Sequence, residues 1–335
     1  MRVNDLQPVL DLLAGAKDAG RILIVTHERP DGDAVGSSVA MWLFLTGNGY
    51  TADLLYPDEL PDAYVTFIPE GAVLKENPAS AEALKERYAM VFSTDASTPK
   101  RLGLAGIAPE TVTIPFAAVD HHPDHIDFAP VTYVDPEACS ASEIVFALAE
   151  KAQWAITPEA ATALLLGVAT DTGCFRFDNT TPRAHLAAAD LLRHGADQHR
   201  VIDRAYFSKP FNMALFEAEL FCRHLRTALD GRFAWFTIPD EILKKYSVNI
   251  RNTENLIENI RSIEGVVVAA LLKPTSNPGI FKISLRSKDP AVSVGRIARR
   301  LNGGGHEMAA GGTIFAKNAE NAEDILLKHV EMELK

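Results

Sequence analysis

The stretch that decides the fold is His27-Glu28-Arg29-Pro30-Asp31-Gly32-Asp33-Ala34-Val35-Gly36-Ser37. It follows Arg21–Thr26, an apolar and β-branched run that predicts a buried strand. A proline and a glycine favour a tight, non-helical path here, so the side chains of His27, Asp31 and Asp33 can converge. In an open α/β fold they would lie at the carboxyl edge of the sheet, where ligands bind. A solvated turn or a helix cap is the alternative for Asp-Gly-Asp taken alone.

Working outward, the first half of the chain alternates short apolar runs with helical patterns, which predicts βαβ units around a parallel sheet. Further strands are expected at Ala52–Leu55, Met90–Ser93 and Phe116–Val119. Helices are expected at Ala34–Leu45, at Ser80–Tyr88, at Ser142–Lys151 behind a capping box that begins at Ser140, and from Pro158 to about Thr170. The N-terminal stretch before Arg21 has the pattern of an amphipathic helix.

The second half has a different pattern. Residues 181–226 are rich in Ala, Leu and His and predict a helical connector. Strands at Arg232–Ile238, Val266–Leu272, Ile280–Leu285 and Thr313–Phe315 and helices at Asp240–Tyr246, Val292–Leu301 and Ala319–Met332 then predict a smaller α+β domain. The expected organisation is an α/β chain with a parallel-sheet domain (1–188), a helical connector (189–226) and an α+β domain (227–335).

Composition excludes several classes of protein. The 335 residues are 47% hydrophobic, which is too apolar for a disordered chain, and no run reaches the ~20 apolar residues of a membrane span. The N-terminus lacks the apolar core of a signal peptide, so a cytoplasmic protein is expected. Three separated cysteines favour neither a disulfide framework nor a zinc knuckle.

Charge is unevenly divided along the chain. The net charge is −11, but residues 1–190 carry 12 basic and 27 acidic residues, whereas residues 191–335 carry 21 and 17. The excess of acidic residues in the first half argues against binding of long duplex DNA, because such binding requires many contacts from Lys and Arg to phosphates. Binding of small phosphorylated ligands remains compatible with this charge distribution.

Four separate segments deliver polar side chains to corresponding topological positions. Besides the quoted stretch, the strand at Met90–Ser93 runs into Asp95, and the next strand runs into Asp120-His121-His122. The helix from Pro158 runs into Asp171, next to a glycine that suits a left-handed helix stop. Each of these residues alone could be a cap or a surface group, but four coincidences at one sheet edge favour a common site.

The charge of this site favours metal ions. Four aspartates (Asp31, Asp33, Asp95 and Asp171) could not all stay ionised together without strong cations, and two divalent ions would balance them. Imidazole and carboxylate ligands without thiolates favour Mn²⁺, with Mg²⁺ or Co²⁺ as alternatives. Two neighbouring ions lower the pKa of water and stabilise the attacking and leaving oxygens in displacement at phosphorus, so phosphoester hydrolysis is expected.

The motifs His27-x-x-x-Asp31-x-Asp33, Asp95, Asp120-His121-His122 and Asp171-Thr-Gly resemble the DHH phosphoesterase family. Gly303-Gly304-Gly305-His306 is similar to the loop of the DHH-associated C-terminal domain, so the resemblance spans nearly the whole chain. The layout is most similar to the nanoRNase/pAp-phosphatase branch. That branch trims very short oligonucleotides and removes the 3′-phosphate of 3′-phosphoadenosine 5′-phosphate (pAp).

The resemblance implies roles residue by residue. One metal ion would be held by His27, Asp31 and Asp95, and a second by Asp33, Asp95, His121 and Asp171, with Asp95 as the bridge. His122 would act on the substrate phosphate or the leaving oxygen, and Asp120 would orient a neighbouring ligand.

The expected substrate-binding residues lie in the second half. Arg286 matches a position at which the family binds phosphate, and a guanidinium can hold two phosphate oxygens at once. In the loop, the three glycines (Gly303, Gly304 and Gly305) let backbone amides approach a phosphate, and His306 adds a donor. Arg286 could instead be an exposed charge at the end of a strand, and the glycine loop could be a flexible turn.

The expected substrates are short single-stranded RNA or DNA, pAp, or linear and cyclic dinucleotides, with no membrane partner. Two alternatives to short-oligonucleotide or pAp hydrolysis stay open: a cyclic-dinucleotide phosphodiesterase and a non-catalytic nucleotide sensor. The glycine loop argues against a pyrophosphatase. A homodimer stays open, as do cleavage polarity and base preference.

Overall fold

The computed structural model describes residues 2–253, 256–275 and 277–335. The chain forms two compact units, Met1–Ser208 and Lys209–Lys335. The expected helical connector is divided between the two units. Its last helix, Phe211–Arg223, lies in the second unit, whereas the helical segments before it lie in the first. The boundaries expected from the sequence, at 188 and 226, stay predictions.

The first unit contains a six-stranded sheet in which every pair of neighbouring strands is parallel. Its order is β1-β6-β5-β4-β2-β3. The strands are β1 (Arg2–Val3), β2 (Arg21–Val25), β3 (Thr51–Leu55), β4 (Tyr88–Thr94), β5 (Phe116–Asp120) and β6 (Val131–Val134). The four strands expected from the sequence agree within about two residues, and the α/β class is confirmed.

Two strands of this sheet were not expected. Within the N-terminal stretch, for which the sequence predicts a helix, Arg2 and Val3 pair in parallel with Thr132 and Tyr133 of β6, and the helix begins only at Gln7. Strands of two and four residues are too short to show a period in the sequence.

Helices surround this sheet: α1 (Gln7–Ala16), α2 (Gly32–Gly47), α3 (Asp62–Val65), α4 (Ala81–Arg87), α5 (Ala141–Lys151), α6 (Pro158–Asp171), α7 (Pro182–Arg193) and α8 (Gln198–Ile202). A short π-helix, Asp203–Phe207, follows. Ser140 caps α5 as expected, since its hydroxyl accepts a hydrogen bond from the amide of Glu143, but Glu143 accepts in return from the amide of Cys139, one residue before the cap. One apolar core joins α1, α2, α5, α6 and one face of the sheet.

Two glycines let α2 and α6 pack closely. A Cβ at Gly36 would lie 2.8 Å from the backbone nitrogen of Gly167, and one at Gly167 would lie 2.7 Å from Cβ of Ser142. The Gly167 methyl would also overlap a carboxylate oxygen of Asp33. This packing therefore sets how closely Asp33, on α2, approaches α5 and α6.

The second unit has a mixed sheet in the order β11-β12-β10-β9-β8-β7. Its strands are β7 (Arg226–Ala228), β8 (Phe233–Thr237), β9 (Val268–Pro274), β10 (Ile280–Ser287), β11 (Gly304–Gly305) and β12 (Ala309–Phe315). Its helices are α9 (Phe211–Arg223), α10 (Asp240–Tyr246), α11 (Leu256–Arg261), α12 (Val294–Arg300) and α13 (Ala319–Leu334). One core packs under α12 and α13 and another under α9, α10 and α11.

Across these described ranges, we found no helix with the length and apolar character needed to cross a membrane.

Replacing Gly167 by Ala should lower the free energy of unfolding by about 1–3 kcal/mol, because the added methyl overfills a packed interior. Urea unfolding measures this change. Gly15→Ala in α1 is the matched control, since its methyl would meet no atom within 4 Å and should leave stability unchanged or raise it by up to ~1 kcal/mol. Equal effects of the two substitutions would contradict the close packing of α2 and α6.

Candidate metal centre

The candidate site lies at the carboxyl edge of the parallel sheet. Three consecutive strands of the sheet lead to it, in the order β5-β4-β2. His27 comes two residues after β2, Asp95 comes directly after β4, and Asp120 ends β5. The fourth segment is α6, which ends at Asp171. Parallel strands carry their ends to the same edge, and this is why residues distant in sequence meet.

Helix α2 adds two more carboxylates. Asp31 is its N-cap, and one carboxylate oxygen accepts hydrogen bonds from the amides of Asp33 and Ala34. Asp33 lies in the first turn and is 1% exposed. The local sequence explains this arrangement, because an aspartate before a helix satisfies amides that have no partner within the helix.

The side chains gather into three overlapping groups with metal-ligand spacing, in each of which one ligand atom per residue lies within 4.8 Å of the others. The groups are His27, Asp31 and Asp95; Asp33, His121 and Asp171; and Asp95, Asp120, His121 and His122. Asp95 joins them, since its two oxygens lie 3.4 Å from Nε2 of His27 and 3.6 Å from Nε2 of His121. All six residues predicted to hold metal ions are thus brought together.

The histidine His27 is oriented for metal binding. Its Nδ1 donates to the carbonyl oxygen of Glu28 at 2.8 Å, which leaves Nε2 facing Asp31 and Asp95. Such a bond to the far nitrogen is typical of metal-ligating histidines, because it fixes both tautomer and ring orientation.

Asp95 shows the clearest sign of a missing partner. Its side chain is 3% exposed, and Oδ1 is buried without a hydrogen-bond partner among the described residues. Its backbone has a φ of 57°, the left-handed region, which aspartate tolerates better than most residues. A buried carboxylate oxygen without a donor is unfavourable, and a cation would satisfy it.

Asp33 is held from the opposite side. Its two oxygens accept hydrogen bonds from the backbone amides of Ala141 (2.6 Å) and Ser142 (2.9 Å), at the start of α5. A carboxylate offers about four lone pairs, so two remain for a metal ion. Burial and the charge of Asp95 raise the pKa of Asp33 to about 7.

Crowding also affects the other groups. Burial and the neighbouring aspartates raise the pKa of Asp171 well above its usual value, although the His121 ring opposes this shift. Burial works against the charged form of His27 and His121, but their aspartate partners prevail and raise both pKa values. Asp33 and Asp171 therefore take up protons when nothing else neutralises them, whereas the histidines hold the pKa values of Asp31 and Asp95 below their ordinary value. The donor set fits two divalent cations.

Asp120 and His122, expected to act beside the metal ligands, lie within metal-ligand spacing of Asp95 and His121, and Nδ1 of His122 is 3.8 Å from an oxygen of Asp95. Oδ1 of Asp120 accepts from the amide of His121 (2.9 Å) and from Nδ1 of His122 (2.8 Å), while Oδ2 lies 2.6 Å from Nδ1 of His125. Burial opposes ionisation of Asp120, but its histidine partners hold the pKa of this carboxyl well below its ordinary value.

His125 was not predicted from the sequence. The available signal was a third histidine within five residues of Asp120. A separation of five residues from Asp120, however, places His125 on the same face of neither a helix nor a strand. The structure shows its side chain fully buried behind the carboxylate.

The expected substrate-binding residues lie together in the second unit. Arg286 on β10 is opposite Ala309 of β12, and the loop strand β11 pairs with the next residues of β12. Arg286 donates from Nε to Oε1 of Glu258 at 3.0 Å. The loop residues Gly303, Gly304, Gly305 and His306 are exposed. A Cβ at Gly303 would overlap the carbonyl of Gly311, so this position requires glycine.

Comparison with known proteins adds family information. A model of the DHH family, N-terminal domain, matches residues 21–168, and a model of the DHHA1 domain matches residues 240–335. The matches correspond to the metal-site unit and to most of the second unit.

Curated relatives match over most of the chain. The bifunctional oligoribonuclease and PAP phosphatase NrnA of Thermus thermophilus is 31% identical over 94% of this chain and 90% of its own length. The probable protein of the same name from Streptococcus mutans is 29% identical over 94% and 95%. An exopolyphosphatase-related protein of Bacteroides fragilis has a similar fold, with a TM-score of 0.87 at 23% identity over 98% of this chain and 95% of that one.

Stability without metal should fall as pH rises from about 5 to about 8. Asp33, Asp171, His27 and His121 have raised pKa values, so in this window the folded protein binds more protons than the unfolded chain. Metal binding requires deprotonated ligands, so the stabilisation by Mn²⁺ should grow with pH.

Urea unfolding in EDTA and in Mn²⁺ at several pH values measures both trends. Asp171→Asn is the control variant, because it removes one carboxyl with a raised pKa and should flatten the EDTA curve. A free energy of unfolding in EDTA that stays constant or rises across the window would contradict the crowding of carboxylates.

Proposed function

The chain belongs to the DHH family of metal-dependent phosphoesterases, and we propose that it hydrolyses short oligonucleotides and pAp with two Mn²⁺ ions. The substrate classes are those in the names of its relatives from T. thermophilus and S. mutans. The observation that carries the proposal is Asp95, whose buried carboxylate joins two groups of ligands and has one oxygen without a hydrogen-bond partner among the described residues.

We propose that two ions share these donors. His27, Asp31 and Asp95 would hold one, and Asp33, His121 and Asp171 the other, with Asp95 also reaching the second through its approach to His121. Imidazole and carboxylate donors without a thiolate favour Mn²⁺ among the common divalent ions. When bound, such a pair supplies a water of lowered pKa and stabilises charge on the oxygens of an in-line displacement at phosphorus.

His122 is proposed to contact the substrate. Its ring is 25% exposed, the most accessible of the histidines in the centre, and Nδ1 is committed to Asp120. Nε2 is then the nitrogen available to a phosphate or leaving oxygen. His122 would donate a hydrogen bond there as charge develops, with Asp120 fixing the direction of the ring.

Substrate binding is proposed for the second unit. Arg286 is 32% exposed; its Nε donates to Glu258 and its Nη1 to the carbonyl of Leu285, so Nη2 is the part of the guanidinium proposed to bind phosphate oxygens. The glycine loop is exposed, although the amide of Gly303 donates to the carbonyl of Ala298, and His306 adds a ring donor beside it. The two features share one end of the same sheet, which suits two contacts to one short ligand.

A substrate panel tests the function. With Mn²⁺ and equal concentrations, we expect hydrolysis of a linear dinucleotide and of pAp, with kcat/KM at least about tenfold higher than for a 30-mer RNA. Cyclic di-AMP belongs in the panel because a cyclic-dinucleotide phosphodiesterase could use the same ligands. Fastest turnover of cyclic di-AMP would reject the proposed preference, and tight binding without phosphate release would indicate a sensor.

Replacement of Asp95 tests the shared ligand. Asp95→Asn keeps a residue that tolerates the left-handed backbone but removes the charge. We expect kcat to fall on the order of 10²–10³-fold, the effect of removing one group that stabilises a transition state. Turnover of the dinucleotide measures this loss, and calorimetric titration with Mn²⁺ should show fewer than two bound ions.

The matched control is Asp124→Asn, an exposed aspartate in the segment after His122. It should change neither turnover nor Mn²⁺ binding. If Asp95→Asn retained two bound ions and normal turnover, Asp95 would not be the bridging ligand.

A further inference from the structure

The carboxylate of Asp120 is completely buried and depends on two histidines. Oδ1 receives the amide of His121 and Nδ1 of His122, whereas Oδ2 receives Nδ1 of His125. Among the described residues, His125 is the one hydrogen-bond partner of Oδ2. A buried carboxylate oxygen without a donor is strongly unfavourable, so loss of His125 would drive the carboxylate to rotate. Rotation would take Oδ1 away from the His122 ring.

His125 is rigidly placed for this bond. Its carbonyl oxygen accepts from Arg2 at 3.0 Å, and the next amide, that of Ile126, donates to the carbonyl of Ser97 at 2.8 Å. The ring packs against Phe128 with a centroid distance of 5.3 Å. The backbone and the ring are therefore both fixed, and the Nδ1 to Oδ2 distance of 2.6 Å is set by the surrounding structure.

The far nitrogen of the ring supports one tautomer. Nε2 of His125 is buried without a hydrogen-bond partner in the described structure, and the nearest carboxylate, Asp127, lies 3.9 Å away and is paired with Arg2. A proton on Nε2 would be a buried donor without an acceptor. The network therefore assigns the proton to Nδ1, which donates to Asp120.

We propose that His125 is a positioning residue of the metal centre, which fixes the Asp120 carboxylate and, through it, the ring of His122. This role rests on the proposed hydrolysis, in which His122 is the group that would contact the substrate. The proposal distinguishes His125 from a histidine that merely fills the core, because it requires a donor at the position of Nδ1.

Two substitutions separate these roles. In His125→Asn the amide nitrogen can occupy the position of Nδ1, whereas in His125→Gln it can occupy only that of Nε2. We expect kcat to fall about 10- to 100-fold in His125→Gln, the range measured when a group that orients a ligand is removed, with KM little changed. His125→Asn should keep most of the activity, although asparagine is smaller than glutamine and fills less of the space that the ring occupies.

Imidazole ¹⁵N NMR gives a readout that does not depend on turnover. At a pH at which the His122 ring is neutral, its proton should lie on Nδ1 in the wild-type protein and in His125→Asn; in His125→Gln its two nitrogens should show a mixture of tautomers. His329→Asn and His329→Gln, in α13 of the second unit, are the matched controls and should leave His122 unchanged. Thermal unfolding checks that each variant is folded.

Equal kcat values for His125→Asn and His125→Gln, or an unchanged His122 tautomer in His125→Gln, would overturn the proposal. If the wild-type protein hydrolysed none of the panel substrates, the proposed function would fail, and the NMR comparison would still decide whether His125 positions His122.

Discussion

Mutual repulsion among buried carboxylates is the constraint on which this structure depends. Asp33 and Asp95 are almost inaccessible to water, and Asp31 and Asp171 lie beside them. Burial raises the pKa values of Asp33 and Asp171, and repulsion between the neighbouring carboxylates in a medium less polar than water adds to this shift. A fold that only needed stability would place apolar groups here. The arrangement becomes favourable when cations are present, which links metal binding to the folded state.

The scaffold keeps this unfavourable cluster in place by close packing around it. Gly36 and Gly167 let α2 approach α6 so closely that a methyl group at either position would overlap its neighbours. The large apolar core beneath joins both helices to the sheet. Burial of apolar surface over the whole unit offsets the repulsion of a few charges at its edge. The glycines near the site are thus part of what positions its ligands.

The structure brings together the six residues that the sequence predicted as metal ligands, and several of them follow strands. Strand ends are visible as apolar runs that stop at polar residues, and the parallel sheet converts this pattern into proximity. The strands β1 and β6 were not predicted, since Arg2–Val3 has no period and is defined by its pairing partner. In β12, the glycines Gly311 and Gly312 concealed the first part of the strand, because residues without side chains carry no hydrophobic signal. His125 was missed for a related reason: its role depends on a carboxylate five residues away, which only the turn after β5 brings into contact.

The two central aspartates are positioned in opposite ways, and in both cases the constraint comes from the chain itself. Asp33 is fixed by the two amides at the start of α5, and Asp95 by a left-handed backbone and its burial. Neither constraint requires an ion, and both belong to elements anchored in the core. Small zinc domains differ, since they fold only when the metal draws their ligands together. Here the backbone holds the ligands together against their repulsion, so cations would enter a prepared site and relieve an existing strain. A prepared site suits catalysis, because its ligands need little rearrangement as charge develops on the substrate.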